Sequence, residues 1–470
     1  MPLVIGVDSS TQSTKLEVRD QDSGELVSST RAPHSNTGVA PNSESNPKEW
    51  LDAFNSAYQQ VNKPNVSAIA VAGQQHGMVT LDRDDNVVRN AKLWNDTQSA
   101  PDAKWCVDQR GAKWWADRIG SVPVASFTVT KLSWLKRVEP QNWSRVSRIC
   151  LPHDYLSWQL RGGKSNEITT DRGDASGTGY WSPKTGEYDH EILRIIDSAR
   201  DWSNCLPRVA QPCEQVGSWG DAVVACGTGD NMAGALGIGL QPGDVAISLG
   251  TSGTVYAVSN SPTSDESGAV AGFADATGAF LPLVCTLNAT KVFDLFANFL
   301  NCDLNEFGEL AMSSICGARE LVLLPYLDGE RTPNLPDARA TLIGLNATHA
   351  RGDIARAAIE GVVCGLLDGL GAITNCGVKT SGRIFLLGGG AQSPAVCQIV
   401  ADLTGKRVHV LNEPEIVALG AARQAVAALT GKFPEWVASS REAARPVATT
   451  LQRDATCSRF AEARLATFGV

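Results

Sequence analysis

One supersecondary unit occurs twice in this chain, and that repetition constrains the fold more than any other feature of the sequence. Residues 3–7 are an apolar run that ends on Asp8, and a turn of small polar residues separates it from an alternating segment over residues 14–19. The same order of apolar strand, Gly/Ser/Thr turn and second strand returns at residues 244–258. Each unit is typical of a β-hairpin, so the sequence predicts one kind of hairpin in each half of the chain.

The length of the chain leaves room for a domain around each hairpin. Its 470 residues exceed what one minimal core needs and suit roughly two or three domains. Strands and helices alternate after the second hairpin, which is typical of an α/β fold. We therefore expect two related α/β domains, over residues 1–241 and residues 242–470.

The composition argues against several classes of protein. Lys and Arg total 41 against 50 Asp and Glu, a net charge of −9, whereas a nucleic-acid-binding surface needs a basic face. No secretory signal is evident, and no apolar run reaches the roughly 18 residues of a membrane span. The 12 cysteines include no CxxC pair and the six histidines no HxxxH spacing, which makes a disulfide scaffold or a zinc site improbable. We expect a cytoplasmic protein without a nucleic-acid or membrane partner.

The turns of the two hairpins, residues 9–13 and 250–253, are the first candidates for chemistry. Short turns of small residues leave backbone N–H groups and hydroxyls free to converge on an anion, so two facing turns could hold successive phosphates. Each can equally be an ordinary hairpin turn. Asp8, at the entrance to the first turn, could hold Mg²⁺ or its waters, or could simply be an Asx-turn residue.

Asp230 lies between a glycine-rich segment and a run of small residues where a helix is predicted to start. A carboxyl with an ordinary pKa of about 3.9 is ionised at pH 7 and could accept the proton of an attacking hydroxyl. The alternative is an aspartate that caps the helix, which is a common structural role.

Two further segments follow predicted buried strands. Residues 74–76 are Gln, Gln and His, long polar side chains that could bind a polyhydroxylated ligand, although a lone histidine is more often structural. Residues 388–390 are three glycines on which an adenine ring could lie, although a tight turn uses the same residues.

Residues 171–178 are predicted to be a turn cluster.

Taken together, these segments resemble the FGGY family of carbohydrate kinases. The resemblance runs from about residue 3 to about residue 430, and many motifs in one order are more specific than any one of them. The motifs are residues 6–11, 73–77, 93–96, 170–178, 226–231, 248–253, 326–333 and 387–391.

The resemblance implies a fold and an activity. The fold would be α/β, with two actin/hexokinase-like (ribonuclease H-like) domains that flank an active-site cleft and close on the substrate. The activity would be Mg²⁺-assisted transfer of the γ-phosphoryl group of ATP to the C5 hydroxyl of D-xylulose. The partners would be the sugar and ATP, and the chain would form a homodimer.

The resemblance also implies roles for individual residues. Asp230 would be the general base, and Asp8 would lie near the metal and the transferred phosphoryl group. Residue 75, often methionine in the family, is glutamine here. The sugar would be bound by Gln75, His76, Asp230 and Asn231, and the nucleotide by Thr11, Gly250, Thr251, Gly389 and Gly390.

Three other functions stay open at this point. A kinase of the same family could act on ribulose, gluconate or glycerol, because pocket shape decides the substrate. A non-catalytic sugar sensor on the same scaffold would be expected to lack Asp230 or to carry a helix-turn-helix. A nicotinamide dehydrogenase would need a GxGxxG turn and a following acid, which residues 388–390 do not supply.

Overall fold

The computed structural model describes residues 2–38, 41–61, 65–163, 167–413, 415–436 and 438–470. Up to residue 241 the elements are β1 (Leu3–Ser9), β2 (Ser13–Asp20), β3 (Leu26–Pro33), β4 (Glu44–Ser45), α1 (Pro47–Gln59), β5 (Val66–Gly73), β6 (Val79–Leu81), β7 (Ala91–Lys92), α2 (Ala100–Arg110), α3 (Ala112–Ile119), α4 (Thr128–Val138), α5 (Pro140–Arg145), β8 (Arg148–Cys150), α6 (Pro152–Leu160), β9 (Thr169–Asp171), α7 (Arg172–Ser176), β10 (Trp181–Ser182), β11 (Glu187–Tyr188), α8 (His190–Ile196), β12 (Arg208–Ala210), β13 (Gln215–Trp219), β14 (Ala222–Ala225), β15 (Thr228–Gly229) and α9 (Asp230–Ile238). From residue 242 they are β16 (Val245–Leu249), β17 (Gly253–Ala257), β18 (Ala271–Ala274), β19 (Phe280–Thr286), α10 (Thr290–Phe299), α11 (Leu304–Ser313), β20 (Val322–Leu324), β21 (Thr341–Ile343), α12 (Arg351–Asn375), β22 (Ile384–Leu387), α13 (Pro394–Thr404), β23 (Val408–Leu411), α14 (Ile416–Thr430), β24 (Ser440–Ala444) and α15 (Thr450–Phe468). Short 3₁₀ turns lie at Ala318–Glu320 and Gly389–Gln392.

Both predicted hairpins are present. β1 pairs antiparallel with β2, and β16 pairs antiparallel with β17. A backbone bond closes each turn, from Ser10 N to the Ser13 carbonyl at 3.1 Å and from Gly250 N to the Ser252 carbonyl at 3.1 Å. The prediction of a hairpin around each of these two short turns of small residues is therefore confirmed.

The two hairpins lie at equivalent places in two seven-stranded sheets. The N-terminal sheet has the order β13-β14-β5-β1-β2-β3, with β15 also paired to β5. The C-terminal sheet has the order β18-β19-β17-β16-β22-β23-β24. In each sheet the first hairpin strand pairs in parallel with a later strand, β5 or β22, and an antiparallel strand lies at the far edge. The shared order supports an internal duplication.

Helices cover both faces of the N-terminal sheet. Phe54 of α1 and Leu156 of α6 pack in one apolar cluster with Ile5 and Val7 of β1. On the other face, small residues of α9 and α14 pack against β1 and β5. Because α9 also contributes Met232 to the cluster on the C-terminal sheet, this helix lies between the two sheets.

Helix α14 crosses the predicted domain boundary. It comes late in the chain, after β23, but packs on α9 and on β1 of the N-terminal sheet. The approach requires glycine, because a Cβ on Gly6 would overlap the carbonyl of Ala418 and a Cβ on Gly420 would overlap that of Ala233. A helix from the C-terminal part of the chain therefore covers one face of the N-terminal sheet.

The prediction of a turn cluster over residues 171–178 is wrong for the first part of the segment. Asp171 ends β9, and residues 172–176 form the short helix α7. The side chain of Asp171 accepts bonds from the N–H groups of Gly173 and Asp174, both at 2.9 Å, and so caps this single turn of helix.

Helix α12 is long and apolar enough to cross a membrane, the one such helix among the residues the structure describes. In its most apolar stretch 67% of the residues are buried inside the protein. A helix that is apolar on most sides and buried in this way is typical of a domain core.

Candidate active site

The carboxyl ends of three parallel strands bring five predicted site residues to one edge of the N-terminal sheet. β1 runs parallel to β5 with Ser9 opposite Gly73, and β15 runs beside β5 with Gly229 opposite Gly73. Side chains at or just beyond these strand ends therefore share one edge. We call it the acidic edge, and it holds Asp8, Gln75, His76, Asp230 and Asn231.

Asp230 is the first residue of α9, and Gly229 holds the capping position before it. The helix-cap alternative for Asp230 is therefore wrong, because its side chain stands one residue inside the helix. Its Oδ1 accepts bonds from the backbone N and the Nδ2 of Asn231, at 2.8 and 3.0 Å. The same Nδ2 donates to Oε1 of Gln75 at 2.9 Å, which joins three predicted site residues in one chain of contacts.

The surroundings of Asp230 disfavour its charged form. Burial, followed by the negative charges of Asp8 and Asp174, raises the pKa of Asp230 to about 7. A carboxyl with a pKa near the working pH is suited to proton transfer in both directions.

His76 is held as a neutral imidazole. Its Nδ1 lies 2.7 Å from the carbonyl of Gly177, and because a carbonyl only accepts, Nδ1 carries the proton and Nε2 is an acceptor. Burial, followed by the positive charge of Lys131, lowers the pKa of His76 to about 3. The rings of Phe127 and Phe273 lie 5.0 and 5.6 Å from the imidazole and hold its plane.

Asp8 is buried with only 4% of its surface exposed, and one of its oxygens has an incomplete environment. Oδ2 lies 3.4 Å from Nζ of Lys15, whereas Oδ1 has no hydrogen-bond partner within the described part of the chain. Burial raises the pKa of Asp8 to about 6. An unsatisfied, buried carboxylate oxygen fits Mg²⁺ or one of its waters, because Mg²⁺ binds oxygen ligands and uses few from the protein.

The equivalent edge of the C-terminal sheet presents backbone instead of charged side chains. β16 and β22 run parallel with Ser248 opposite Leu387, which brings the turns that follow them together. Gly388 has a φ of +79°, and a Cβ there would lie 2.6 Å from the carbonyl oxygen of Leu249. We call this the glycine edge, and it holds Gly250, Thr251, Gly389 and Gly390.

Thr11 lies in the turn of the first hairpin, where it contacts another predicted motif. Its Oγ1 accepts a bond from Nε1 of Trp94 at 3.0 Å, and its carbonyl accepts one from Nδ2 of Asn36 at 2.7 Å. These bonds fix the turn beside the acidic edge, while the predicted contact of Thr11 with a nucleotide stays a prediction.

Asp230 lies where the two sheets approach each other. A Cβ on Gly234, one turn further along α9, would lie 3.5 Å from the hydroxyl of Tyr256 in β17. Burial and then the negative charge of Asp230 raise the pKa of Tyr256. Burial also raises the pKa of Cys285 in β19; the charge of Arg331 opposes this shift, and the charge of Asp230 adds to it. The carboxylate therefore faces groups of both sheets.

No role was predicted from the sequence for a second set of polar residues, although two of them lie in the motif over residues 170–178. His153, Asp154, Asp171 and Asp174 form a fully buried network behind the acidic edge, with the side chain of His153 only 2.6 Å from that of Asp174. One signal was available, because a His-Asp pair opens the apolar helix α6. The other two acids, Asp171 and Asp174, come from a different segment. Only the tertiary fold brings them to His153, so the sequence alone does not show the contact.

Comparison with known proteins identifies the family. The sequence matches the N-terminal domain of the FGGY family of carbohydrate kinases over residues 3–237 and the C-terminal domain over residues 245–429. The chain belongs to the FGGY family of carbohydrate kinases. The resemblance found in its motifs is thereby confirmed, and as an FGGY kinase it uses ATP as co-substrate.

Several relatives of this FGGY kinase are similar over nearly their whole length. A xylulose kinase of Streptomyces rubiginosus is 46% identical over 468 residues, covering 96% of this chain and 94% of that protein. A xylulose kinase of Escherichia coli is 32% identical over 445 residues, covering 90% and 89%.

Solved structures show the same fold. The crystal structure of xylulose kinase from Bifidobacterium adolescentis matches with a TM-score of 0.90 and 39% identity, over 98% of this kinase and 99% of that chain. Plasmodium falciparum glycerol kinase with ADP matches with a TM-score of 0.88 over 100% and 98%, and at 18% identity it speaks for the fold alone. The predicted pair of actin/hexokinase-like domains is confirmed.

Proposed function

We propose that this FGGY kinase phosphorylates D-xylulose to D-xylulose 5-phosphate, with Asp230 as the general base. The observation that carries the role of Asp230 is its position, linked to Asn231 and Gln75 at the acidic edge and facing the C-terminal sheet. The choice of sugar is supported by relatives named xylulose kinase at 46% identity over almost the whole chain.

The acidic edge would bind and orient the sugar. Nε2 of His76 offers an acceptor for a sugar hydroxyl, since Nδ1 is occupied by Gly177. Gln75 and Asn231 add amide groups beside the carboxylate. A sugar held by fixed groups brings its reacting hydroxyl to the base at little further entropic cost.

Asp230 would then take the proton of the C5 hydroxyl. As the hydroxyl oxygen forms its bond to the γ-phosphorus, the proton passes to the carboxylate and the bond between the γ-phosphorus and the ADP oxygen breaks. A base in this position contributes about 10² to 10⁴ in rate.

Charge neutralisation and nucleotide binding would come from other groups. Asp8 would hold Mg²⁺ or its waters through its unsatisfied oxygen. The metal, when bound, would offset the negative charge of the phosphates. Exposed backbone of the glycine edge, together with Thr11 of the first turn, would line the nucleotide, since bare backbone can approach phosphates and a flat ring closely.

The proposal extends to the organisation of the chain. Residues 1–241 would form the sugar-binding domain and residues 242–470 the nucleotide-binding domain, with α14 of the second packed on the first. We also propose a homodimer in the cytoplasm. The cytoplasmic location is supported by all 12 cysteines being free thiols.

A coupled ADP-release assay with D-xylulose, ribulose, gluconate and glycerol tests the function. We expect the highest kcat/KM with D-xylulose. A higher value with another compound would replace the substrate but keep the reaction. Sugar binding without ADP release, measured by calorimetry, would instead identify a sensor.

A further inference from the structure

A fully buried network of charged side chains lies directly behind the acidic edge, and the proposed mechanism gives it no contact with the sugar or the nucleotide. Nδ1 of His153 is 2.6 Å from Oδ2 of Asp174, and Nε2 of the same ring is 3.2 Å from Oδ1 of Asp154. Asp171 completes the network. Its Oδ2 accepts a bond from Oγ1 of Thr228 at 2.7 Å.

The surroundings of His153 favour the protonated, positively charged form of its ring. Nδ1 donates to the carboxylate of Asp174, because a carboxylate accepts hydrogen bonds, whereas Nε2 lies within ion-pair distance of Asp154 but has no hydrogen-bond partner among the described residues. Burial opposes the charge, but the negative charge of Asp154 and the bond to Asp174 outweigh it and raise the pKa of His153 to about 9. An imidazolium between two acids is a compensated arrangement for a buried histidine.

A metal ion is a poorer occupant of this network than a proton, although His153, Asp154 and Asp174 are close enough together to suggest one. Ligand atoms at about 2.0–2.1 Å from a tetrahedral zinc ion lie roughly 3.3 Å apart. The 2.6 Å between His153 and Asp174 is instead the length of a strong, charge-assisted hydrogen bond.

His153 also fills the space between two segments of the acidic edge. A Cβ on Gly73 would lie 2.9 Å from Cβ of His153, and a Cβ on Gly227 would lie 2.7 Å from its Cδ2. Gly73 ends β5 and leads into Gln75 and His76, while Gly227 leads into the segment that ends on Asp230. His153 is therefore in close contact with the backbone of the two segments that carry residues 74–76 and Asp230.

Asp174 extends these contacts to a third segment. It belongs to α7, and its backbone carbonyl accepts a bond from the N–H of Gly177 at 3.0 Å. The carbonyl of Gly177 in turn accepts the Nδ1–H of His76. One hydrogen-bonded path thus runs from His153 through α7 to the imidazole of His76, and a second runs from Asp171 to the Thr228 that precedes Asp230.

We propose that His153 is a positioning residue that, bonded to Asp174, holds residues 74–76 and Asp230 in a fixed mutual arrangement. The inference rests on the proposed role of the acidic edge. It does not involve the glycine edge, which is built on β16 and β22. Loss of the contact should therefore harm use of the sugar and leave use of ATP intact.

Two substitutions at one position test the proposal. His153→Leu fills the space but removes the bond to Asp174, whereas His153→Asn keeps a donor close to the position of Nδ1. We expect His153→Leu to lower kcat/KM for D-xylulose about 10²-fold, because a displacement of about 1 Å has that effect on an oriented reaction. KM for ATP should change less than about twofold, and His153→Asn should recover roughly a tenth or more of the wild-type value.

The pair Asp174→Asn and Asp174→Ala repeats the test from the other partner, so that a fold defect in His153→Leu does not decide the matter. Asp174→Asn keeps an acceptor for Nδ1 and should be the more active of the two. Thermal unfolding and ADP affinity establish that each variant is folded. An equal rise in both KM values, or no gain from either conservative variant, would show a merely structural histidine.

Binding of D-xylulose by calorimetry separates this proposal from the proposed function. If the wild-type protein releases no ADP with any sugar, the proposed function fails. The positioning role is then judged by sugar affinity alone, which should be weaker in His153→Leu than in His153→Asn. Equal affinities in the two variants would overturn it.

Discussion

The two sheets of this kinase share a strand order, but the equivalent edges of the two sheets carry different chemistry. At the ends of β1, β5 and β15 the chain places side chains, namely two aspartates, an imidazole and two amides. At the end of β16 and β22 it places glycines and a threonine, so that backbone is what a ligand meets. Under the proposed function, one scaffold used twice would serve two ligands. The half proposed to bind the sugar and take its proton would act through side chains, and the half proposed to bind the nucleotide would act through closely approached backbone.

The largest expected effect comes from removing the charge at the acidic edge. Asp230→Asn should lower kcat about 10²- to 10⁴-fold, because the amide cannot accept the hydroxyl proton. The affinity for sugar should stay near that of the wild type, since the amide keeps the size and one acceptor. Steady-state kinetics and calorimetry measure the two quantities. Asp108→Asn, on an exposed helix, is the matched control. Wild-type turnover in Asp230→Asn would remove Asp230 from its role.

His76 tests whether the acidic edge serves the sugar alone. We expect His76→Ala to raise KM for D-xylulose about tenfold, a loss of about 1.4 kcal/mol, because a hydroxyl loses its acceptor. KM for ATP should stay within about twofold. Initial rates with each substrate varied in turn give both constants. Equal increases would indicate a histidine that only supports the fold through Phe127 and Gly177.

The glycine edge should show the opposite selectivity. A Cβ on Gly389 would meet no atom within 4 Å, so Gly389→Ala should fold normally and still crowd the nucleotide. We expect KM for ATP to rise about fivefold, with KM for D-xylulose unchanged. Gly371→Ala, at an equally open site in α12, is the control. Unchanged KM for ATP would place the nucleotide elsewhere.

The smallest effect is on stability and comes from the buried network. The pKa of His153 in the folded protein, about 9, lies above its ordinary value of 6.5, so its contribution is complete below pH 6.5 and is lost as the pH rises through 9. We expect the free energy of unfolding to fall by about 1 to 3 kcal/mol from pH 7 to pH 9. Urea unfolding at both pH values measures it, and His153→Asn should show a smaller decrease.

Sequence reasoning was most successful where structure is local. The hairpins at β1–β2 and β16–β17 follow from alternation and small turn residues. Asp8 was singled out by its place at the first turn, and Asp230 by its place at a predicted helix start after a glycine-rich segment. Helix α7 was missed because its cap, Asp171, was read as one more turn residue. Helix α15 was missed because it buries little apolar surface, chiefly at Phe460.

The remaining errors concern contacts between distant segments. The network around His153 joins α6, β9, α7 and β15, and no single stretch of sequence reveals that meeting. The packing of α14 on β1 is of the same kind. Its small residues are visible in the sequence, but their partner lies some 400 residues earlier, at Gly6.

That packing has a consequence for engineering. Because α14 returns to the first sheet and packs against α9, elements from both halves of the chain share one apolar cluster on that sheet. A gene split at residue 241 would leave that sheet face of the first fragment covered by α9 without α14, and would leave α14 of the second fragment without the surface on which it packs. Two such fragments should therefore assemble when they are co-expressed and not when they are expressed separately and then mixed, because α14 of one fragment packs on the sheet of the other.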